Sequence, residues 1–384
     1  MKKEETKPKE YSLERLFHAY YDCRKHKRNT MQAMKFEFEL EKNIFELHNK
    51  LLNGTYEIGK SICFIIREPK LREVWAGSFR DRIVHHLIYN AIKDRFISSF
   101  IKETYSCIPN RGTLRGAWQA AKYAKNVTRN YTQTAYFMKA DIMSFFNNID
   151  KHILFKEILK LVYEPWLVDL IKQVLFHNPV ENVFLKSPKE LYKLLPSYKS
   201  LFSTHPDKGL PIGNLTSQFF SNIYMNPLDQ YAKNELGCRY YCRYVDDILI
   251  LDKDPKFLNW AYDKMDKFLK DNLLLTLNPK KKNMNHIHHG FDFVGHVIKP
   301  NRIHIRTRTR KKAFKTFKTW DNNPNKFSQD VLEKYIRSLN SYIGMCRHTN
   351  GYNLRKQLCE MSENLFIGYD KEYTKIFSKG LKTP

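Results

Sequence analysis

The chain is 384 residues long and carries 66 Lys+Arg against 40 Asp+Glu, a formal net charge of 66 − 40 = +26. An excess of this size attracts polyanions with strongly salt-dependent affinity, and no apolar run approaches the ~18 residues of a membrane-spanning helix. Seven cysteines, odd in number and scattered, exclude a disulfide scaffold and fit a reducing cytosol. Met1 to Glu10 is polar and mixed in charge, and reads as a disordered tail. From Leu13 to Asn53 the pattern is helical: Leu16, Tyr20 and Cys23, then Phe36, Leu40, Ile44, Leu47 and Leu51, recur at one-turn spacing until Asn53-Gly54 stops them. Tyr56 to Arg67 alternates as strands do. Asp81 to Phe100 reads as a helix with Ile83, Leu87, Ile88 and Ile92 on its apolar face, and Arg115 to Ala124 as another. Tyr136 to Ile142 is a strand that ends in an acid, Asp141. Amphipathic helix surrounds Pro165 between Leu154 and Leu175, and the Lys-, Ser- and Pro-rich stretch His177 to His205 reads as an insertion. Helical spacing returns from Gln218 to Leu236 and from Leu258 to Asp271. Beyond Arg302, basic residues alternate with Ile and Thr. Period-2 spacing puts Arg302, His304, Arg306, Arg308 and Arg310 on one strand face, followed by Lys311. Such a row can track a phosphate backbone, or it can be a charged edge strand that discourages aggregation. Phe314, Phe317 and Trp320 read as helix core, as do Leu332, Tyr335, Ile336, Leu339, Tyr342 and Ile343. A turn at His348 to Tyr352 precedes a last helix from about Leu354.

The chemistry concentrates in Arg243-Tyr244-Val245-Asp246-Asp247-Ile248-Leu249-Ile250-Leu251. Tyr240–Tyr244 and Ile248–Leu251 read as two strands of a hairpin with the acidic pair at its tip. Two carboxylates side by side in apolar surroundings are costly unless a cation neutralises them. Mg²⁺ prefers carboxylate oxygens and keeps its other positions for water and substrate phosphates. With Asp141, three acids can hold two metal ions about 4 Å apart for in-line phosphoryl transfer. An Asp-Asp pair alone is more often a solvated turn, and Asp141 alone could be a helix N-cap; their combination is what points to chemistry. Cys238-x-x-x-Cys242 with His286-x-His288-His289 could in principle supply four zinc ligands, although a small buried Cys beside the acidic turn and an exposed His connector account for them as well.

Tyr244-Val245-Asp246-Asp247 between apolar strands, with Asp141 before Ser144-Phe145-Phe146 about a hundred residues upstream, resembles the palm of reverse transcriptases. Pro69-Lys70-Leu71-Arg72 and Phe79-Arg80-Asp81-Arg82-Ile83-Val84-His85-His86 resemble the fingers block of the bacterial enzymes. Tyr105-Ser106-Cys107-Ile108-Pro109-Asn110-Arg111-Gly112 resembles the next block, departing from it at Cys107 and Ile108. Gly209 to Gln218, Leu273 to Lys280 and Gly290 to His296 complete the series, so the resemblance covers about Ile62 to Ile298. It implies an α+β right-hand polymerase fold of fingers, palm and thumb, with an antiparallel palm sheet and a helical N-terminus and thumb. The divisions expected are a tail and helical extension over 1–55, fingers and palm over 56–300 with an insertion near 177–205, and a thumb over 301–384. Fewer than 90 residues follow Ile298, too few for an added endonuclease or RNase H domain, so strand integration and RNA removal would fall to other factors.

The subfamily turns on a short segment. Most bacterial relatives, group II intron enzymes among them, carry Gln where this chain has Ile212 and Ser-Pro where it has Ser217-Gln218. An aliphatic residue, then Gly-x-x-x-Ser-Gln, resembles the enzymes of diversity-generating retroelements, which copy a template-repeat RNA with errors at adenines. Retron, phage-defence and group II intron-like enzymes share the palm, and an RNA-binding, maturase-like protein with a relic polymerase fold is the non-enzyme alternative. The resemblance implies Asp141, Asp246 and Asp247 as catalytic. With the Ile142 carbonyl they would hold two Mg²⁺ ions, for which Mn²⁺ can substitute. Arg72 and Lys70 would grip the dNTP triphosphate, although Arg72 could instead form a surface salt bridge with Glu73. Phe146 would act as a steric gate against a ribose 2′-hydroxyl, with Phe145 in the core. Ile212 and Gly213 would lie at the incoming nucleotide, and Arg302, Arg306, Arg308, Arg310 and Lys311 would contact nucleic acid. The implied partners are template RNA, the cDNA or primer strand, dNTPs and a small basic oligomeric accessory protein, for which the N-terminal helix and the insertion are candidate docking surfaces. The implied setting is the bacterial cytoplasm, for a bacterial or phage gene, with no membrane partner.

Overall fold

The computed structural model describes residues 11–25, 27–68, 70–323, 325, 328–361 and 367–378; the expected N-terminal tail lies outside them. The strands, in chain order, are β1 Ser61–Ile66, β2 Arg72–Ala76, β3 Tyr136–Ala140, β4 Val183–Leu185, β5 Tyr240–Tyr244, β6 Asp247–Asp252, β7 Asn283–His286, β8 Phe291–Phe293, β9 His296–Lys299, β10 Arg302–Ile305, β11 Ile367–Tyr369 and β12 Ile376–Ser378. Helices of all lengths separate them, so the fold mixes helix and sheet. The chain divides into two compact units. One comprises Met1–Ile108, Asp141–Gly237 and Ala261–Lys280, the other Pro109–Ala140, Cys238–Trp260 and Lys281–Pro384.

In the first unit, the predicted N-terminal helical stretch is three helices, Leu13–Arg24, Met31–Phe38 and Leu40–Leu52. The first two are capped by Ser12 and Thr30, whose side chains accept from the Arg15 and Ala33 N–H groups, satisfying donors that a helix start leaves open. The apolar periodicity is their buried face: Leu16, Tyr20, Cys23, Ile44, Leu47 and Leu51 are all buried. Helix Phe79–Ser99 starts at Ser78, which accepts from Asp81 N–H, and buries residues around much of its circumference. Helix Leu215–Gln230 packs on it, with Phe219 edge-on to Tyr89 at 5.0 Å. β1 and β2 form an antiparallel hairpin, and β4 joins the other edge of β1 in parallel. The 177–205 stretch, expected as an insertion of the palm, thus adds a strand to the β1–β2 sheet. Its Ser200 hydroxyl and Leu201 N–H both donate to Glu73 of β2.

The second unit is built on a four-stranded sheet in the order β5-β6-β3-β7, antiparallel throughout. Helix Thr113–Val127 packs on β5 and β9, burying Ala117, Ala120, Ala124 and Val127. A second antiparallel sheet runs β10-β9-β8. Helices Thr307–Asp321, Gln329–Arg347 and Tyr352–Glu360 follow, around a core of Trp320, Leu332, Tyr335, Leu339, Ile343 and Cys359. Trp320 stacks on Tyr335 with ring centroids 4.2 Å apart. The β11–β12 hairpin was not foreseen. Asn340 clamps it by exchanging two 2.7 Å hydrogen bonds with the Ile376 backbone.

One expectation is overturned in this unit. β10 ends at Ile305 and a helix begins at Thr307, so Arg302 and His304 lie on a strand while Arg308, Arg310 and Lys311 lie on a helix. Five residues do not share one face. Beyond Ile305 the row has no apolar residue to bury until Ala313, so its period does not choose between strand and helix, and Arg and Lys are good helix formers.

Candidate active site

Ile248, Leu249, Ile250 and Leu251 are all at most 1% exposed, as are Tyr241 and Cys242 across the hairpin. Their packing fixes the register, which pairs Tyr244 with Asp247 and leaves Val245 and Asp246 as a two-residue loop. Asp246 and Asp247 are half-buried at the tip. On its other side β6 pairs with β3, and that ladder ends at Ala140 opposite Ile248. Asp141 is the next residue after Ala140, and Asp247 is the one before Ile248. β3, which Asp141 follows, and β6, which Asp247 opens, are therefore neighbouring strands of one sheet.

Asp141 is held by its own backbone. Its carbonyl accepts from Asn278 N–H at 2.7 Å, Met143 N–H donates to Thr276 at 3.0 Å, and Ile142 bridges Leu277. The helix that follows begins only after Ser144, which takes φ +43°, so Asp141 is not its N-cap. Phe145 is 3% exposed while Phe146 stays half-buried, the rings meeting edge-on at 5.3 Å. Phe145 is thus the core residue of the pair.

The nucleotide-binding candidates lie together in the first unit. Arg72 is exposed at the start of β2, with Lys70 exposed just before it. The suggested salt bridge to Glu73 is not made. Glu73 is 5% exposed and turned inward, where it accepts from the Trp75 indole at 3.2 Å, Leu201 N–H at 2.9 Å and the Ser200 hydroxyl. Trp75 N–H donates to the Ile212 carbonyl at 2.7 Å. A side chain on Gly213 would put its Cβ 2.3 Å from the Trp75 carbonyl and 3.0 Å from Val74 Cγ1, and φ there is +129°. Val74 shares a strand face with Arg72, so Arg72, Val74 and the Ile212-Gly213 backbone flank one another.

Sequence reasoning missed what holds that segment. Asn214 accepts from Gly77 N–H at 3.3 Å, and His85 Nδ1 meets the Thr216 hydroxyl at 2.8 Å. Asp81, 1% exposed, accepts from Tyr56 at 2.9 Å, Gly59 N–H at 3.1 Å and Ser78 at 2.7 Å. The Ser78-x-x-Asp81 spacing is a capping signature that pointed to it. Burial holds the His85 imidazole down to about 4 against the charge of Asp81, helped by His86, Arg82 and His177. Arg243, wholly buried, had no sequence signal beyond its place in an apolar strand.

Among the nucleic-acid candidates, Arg302, Arg308, Arg310 and Lys311 are exposed. Arg306 instead pairs with Asp292 at 2.6 Å, as does Lys139. Burial raises the Asp292 carboxyl, but these two cations outweigh it and hold it below its ordinary range. The histidine cluster is spent on ring contacts: His286 packs on Tyr136 at 4.4 Å and His289 on His286 at 5.7 Å. Among the described residues no three His, Cys, Asp or Glu side chains converge to hold a metal, which removes the four-ligand zinc reading there. The same holds for Asp141, Asp246 and Asp247; the Asp246-Asp247 pair at the hairpin tip offers hard oxygen donors, of the kind that suits a cation completing its shell with water and phosphate.

Residues 68–298 match the reverse transcriptase (RNA-dependent DNA polymerase) family. The chain belongs to that family. It is 22% identical to protein YkfC of Escherichia coli (strain K12) over 298 residues, 69% of this chain and 71% of that protein. A solved telomerase from Candida albicans, in complex with a TWJ fragment of telomeric RNA, aligns with 87% of this chain at TM-score 0.46 and 11% identity; the chain spans 59% of its length. The family match makes the protein an RNA-directed DNA polymerase, of a family that works with divalent cations. Among the described residues no helix is long and apolar enough to cross a membrane.

Proposed function

We propose that this chain is the reverse transcriptase of a diversity-generating retroelement, copying a template-repeat RNA into cDNA with errors at adenines in a bacterial cytoplasm. The observation that carries this reading is Ile212, followed by Gly213 and by Ser217-Gln218, where other bacterial relatives place Gln and Ser-Pro. Ile212 is fixed through its carbonyl, so its half-buried side chain is open to variation without moving the loop. Gln can hydrogen-bond around the nascent pair, whereas Ile neither donates nor accepts and its branched stem is stiff. Apolar discrimination is worth only about 1–3 kcal/mol, which makes for a loose grip on the incoming nucleotide. The preference for template adenine rests on the family resemblance alone.

In this reading β1, β2 and β4 belong to the fingers, the Asp246 hairpin to the palm and the helices after Thr307 to the thumb. Asp141, Asp246, Asp247 and the Ile142 carbonyl would hold Mg²⁺, or Mn²⁺ in its place. The bound ions would lower the pKa of the primer 3′-hydroxyl and neutralise the leaving pyrophosphate. Arg72, exposed and without an ion-pair partner among the described residues, grips the triphosphate through its planar fork, with Lys70 as a point charge beside it. The Phe146 ring excludes a 2′-hydroxyl and so selects dNTPs. A small basic oligomeric accessory protein completes the machinery.

The test is primer extension on an RNA template with dNTPs and Mg²⁺, adding the cognate RNA and accessory protein of the locus, with Asp246→Ala alongside. Errors concentrated at template adenines, with a loss of about three orders of magnitude or more in Asp246→Ala, are the expected result. Accurate cDNA would leave a polymerase of retron or intron type. Untemplated DNA would place the chain in phage defence, and no synthesis under any condition would return it to RNA binding.

A further inference from the structure

The tip of the acidic hairpin is built against its backbone preference. Two-residue hairpin loops call for positive φ at their first position, which Gly or Asn usually occupies. Here that position is Val245, at φ +56°. A β-branched side chain is strained in this region and persists there only when its surroundings impose it.

The imposing group is one strand residue away from the loop. Arg243 is 0% exposed and among the largest wholly buried side chains of the protein. Its neighbours on the same sheet face are Ile248 and, beyond it, Ala140, while Tyr244 and Asp247 take the opposite face. Burying a guanidinium is costly unless its donors are satisfied within the fold. One such bond runs from Nη1 to the Val245 carbonyl at 2.9 Å. That carbonyl and the Asp246 N–H belong to one rigid peptide plane. Fixing the carbonyl therefore fixes the direction in which Asp246 leaves the loop.

We propose that Arg243 is a positioning residue for polymerisation: its buried guanidinium locks the strained Val245–Asp246 peptide, so that Asp246 is presented for cation binding before cation or nucleotide arrives. The proposal rests on the assignment of Asp246 to the catalytic set, and it is independent of which reverse transcriptase subfamily the chain serves. In this proposal Arg243 acts through the turn rather than on a reacting atom. Lys is a poor substitute, because a flexible ammonium lacks the planar fork that both reaches the carbonyl and holds its angle.

The full-length chain is compared with Arg243→Lys and Arg243→Met, each with Val245 and with Val245→Gly. Three quantities are read: amide hydrogen exchange across residues 240–252 in metal-free protein, Mn²⁺ binding by calorimetry without nucleotide, and the kcat and KM for dNTP in primer extension. A hydrogen bond from a charged donor predicts effects of about tenfold or more. Arg243→Met should speed exchange at the tip, weaken Mn²⁺ and lower kcat by that order, with KM for dNTP within about twofold. With Gly at 245 the same replacement should cost far less, because Gly takes positive φ unaided. Equal losses in both backgrounds would overturn the proposal, as would exchange that rises uniformly over the sheet rather than at its tip. Should Arg243→Met fail to fold, Arg243→Lys carries the same comparison. If the wild-type chain shows no polymerase activity the catalytic assignment falls, while exchange and Mn²⁺ binding still decide whether Arg243 holds the turn.

Discussion

The Tyr244–Asp247 turn and the Gly209–Asn214 segment are both short stretches of chain in positive-φ conformations, and they are secured in opposite ways. In the turn, Val245 keeps its side chain, the strain stays in the backbone, and a buried guanidinium holds the carbonyl. In the segment, Gly209 and Gly213 take the positive φ at no steric cost, and the fixing bonds run from Trp75 N–H to the backbone and from Gly77 N–H to Asn214. A side chain that holds a strained turn makes its geometry tunable by mutation. A segment held through its backbone and through Asn214 leaves the side chain at 212 free to vary.

If that distinction is right, the largest effect comes from Gly213→Ala. The new Cβ would stand 2.3 Å from the Trp75 carbonyl, a backbone atom that cannot swing aside, in a φ region that L-residues avoid. We expect a loss of at least about 3 kcal/mol in urea unfolding, with no second-site glycine to relieve it. A loss below about 1 kcal/mol would show that the segment yields, and that the contrast with the turn is false.

The second effect is on pH. His85, bonded to Thr216 below the segment, has its imidazole at about 4 in the folded chain against an ordinary 6.5. Burial, the main cause, keeps it neutral. The unfolded chain therefore takes up the proton first as pH falls. Stability is complete above about 6.5 and declines toward 4, by roughly 3 kcal/mol in all. His86, also held to about 4 chiefly by burial, adds to the slope. Arg243 adds no such dependence, because a guanidinium stays charged throughout. Unfolding measured at pH 7, 6 and 5 should show the decline in the wild-type chain and a shallower one in His85→Phe. A slope unchanged by that substitution would assign the titration elsewhere.

Sequence carried the acidic hairpin because Ile248–Leu251 is a continuous apolar run that must be buried, Tyr241 and Cys242 are buried opposite it, and the acidic pair marks the turn between them. It carried the N-terminal helices for a similar reason: Leu16, Tyr20, Ile44 and Leu47 recur at the spacing that makes a buried stripe. What it could not carry were pairings made across long separations. Nothing near Val183 says that it pairs with Ser61, and nothing near Glu73 says that Ser200 and Leu201 will satisfy it. Nor does the local pattern reveal a buried Arg243, since charged residues in strands usually point to water. The Arg302–Arg310 row failed past Ile305, where no apolar residue follows until Ala313 and patterning has no physical hold.

A smaller effect sharpens the comparison at its functional end. Ile212→Gln should leave stability unchanged, since the Ile212 carbonyl does the anchoring, and should lower misincorporation by about tenfold through new polar contacts. Fidelity assays on one RNA template, read by sequencing, decide it. Unchanged error rates with a stable enzyme would sever the loose grip from this residue, however rigid the segment.

The smallest effect separates the two halves of the basic stretch that follows β10. Arg306 is occupied by Asp292 at 2.6 Å, whereas Arg308 and Lys311 project exposed from a helix, three residues apart on one side of it. Removing a single phosphate-binding cation should flatten the dependence of binding on salt by about 0.7–0.9 in log–log slope and weaken affinity a few-fold at moderate salt. We expect that change for Arg308→Ala and Lys311→Ala with a primer–template duplex, and none for Arg306→Ala, whose cost should fall on stability through an Asp292 left with Lys139 alone. A continuous strand face would instead make Arg306 and Arg308 equivalent. Equal slopes for the two would mean that Arg306 leaves Asp292 for phosphate when nucleic acid binds, and the division at Ile305 would then hold for the free protein only.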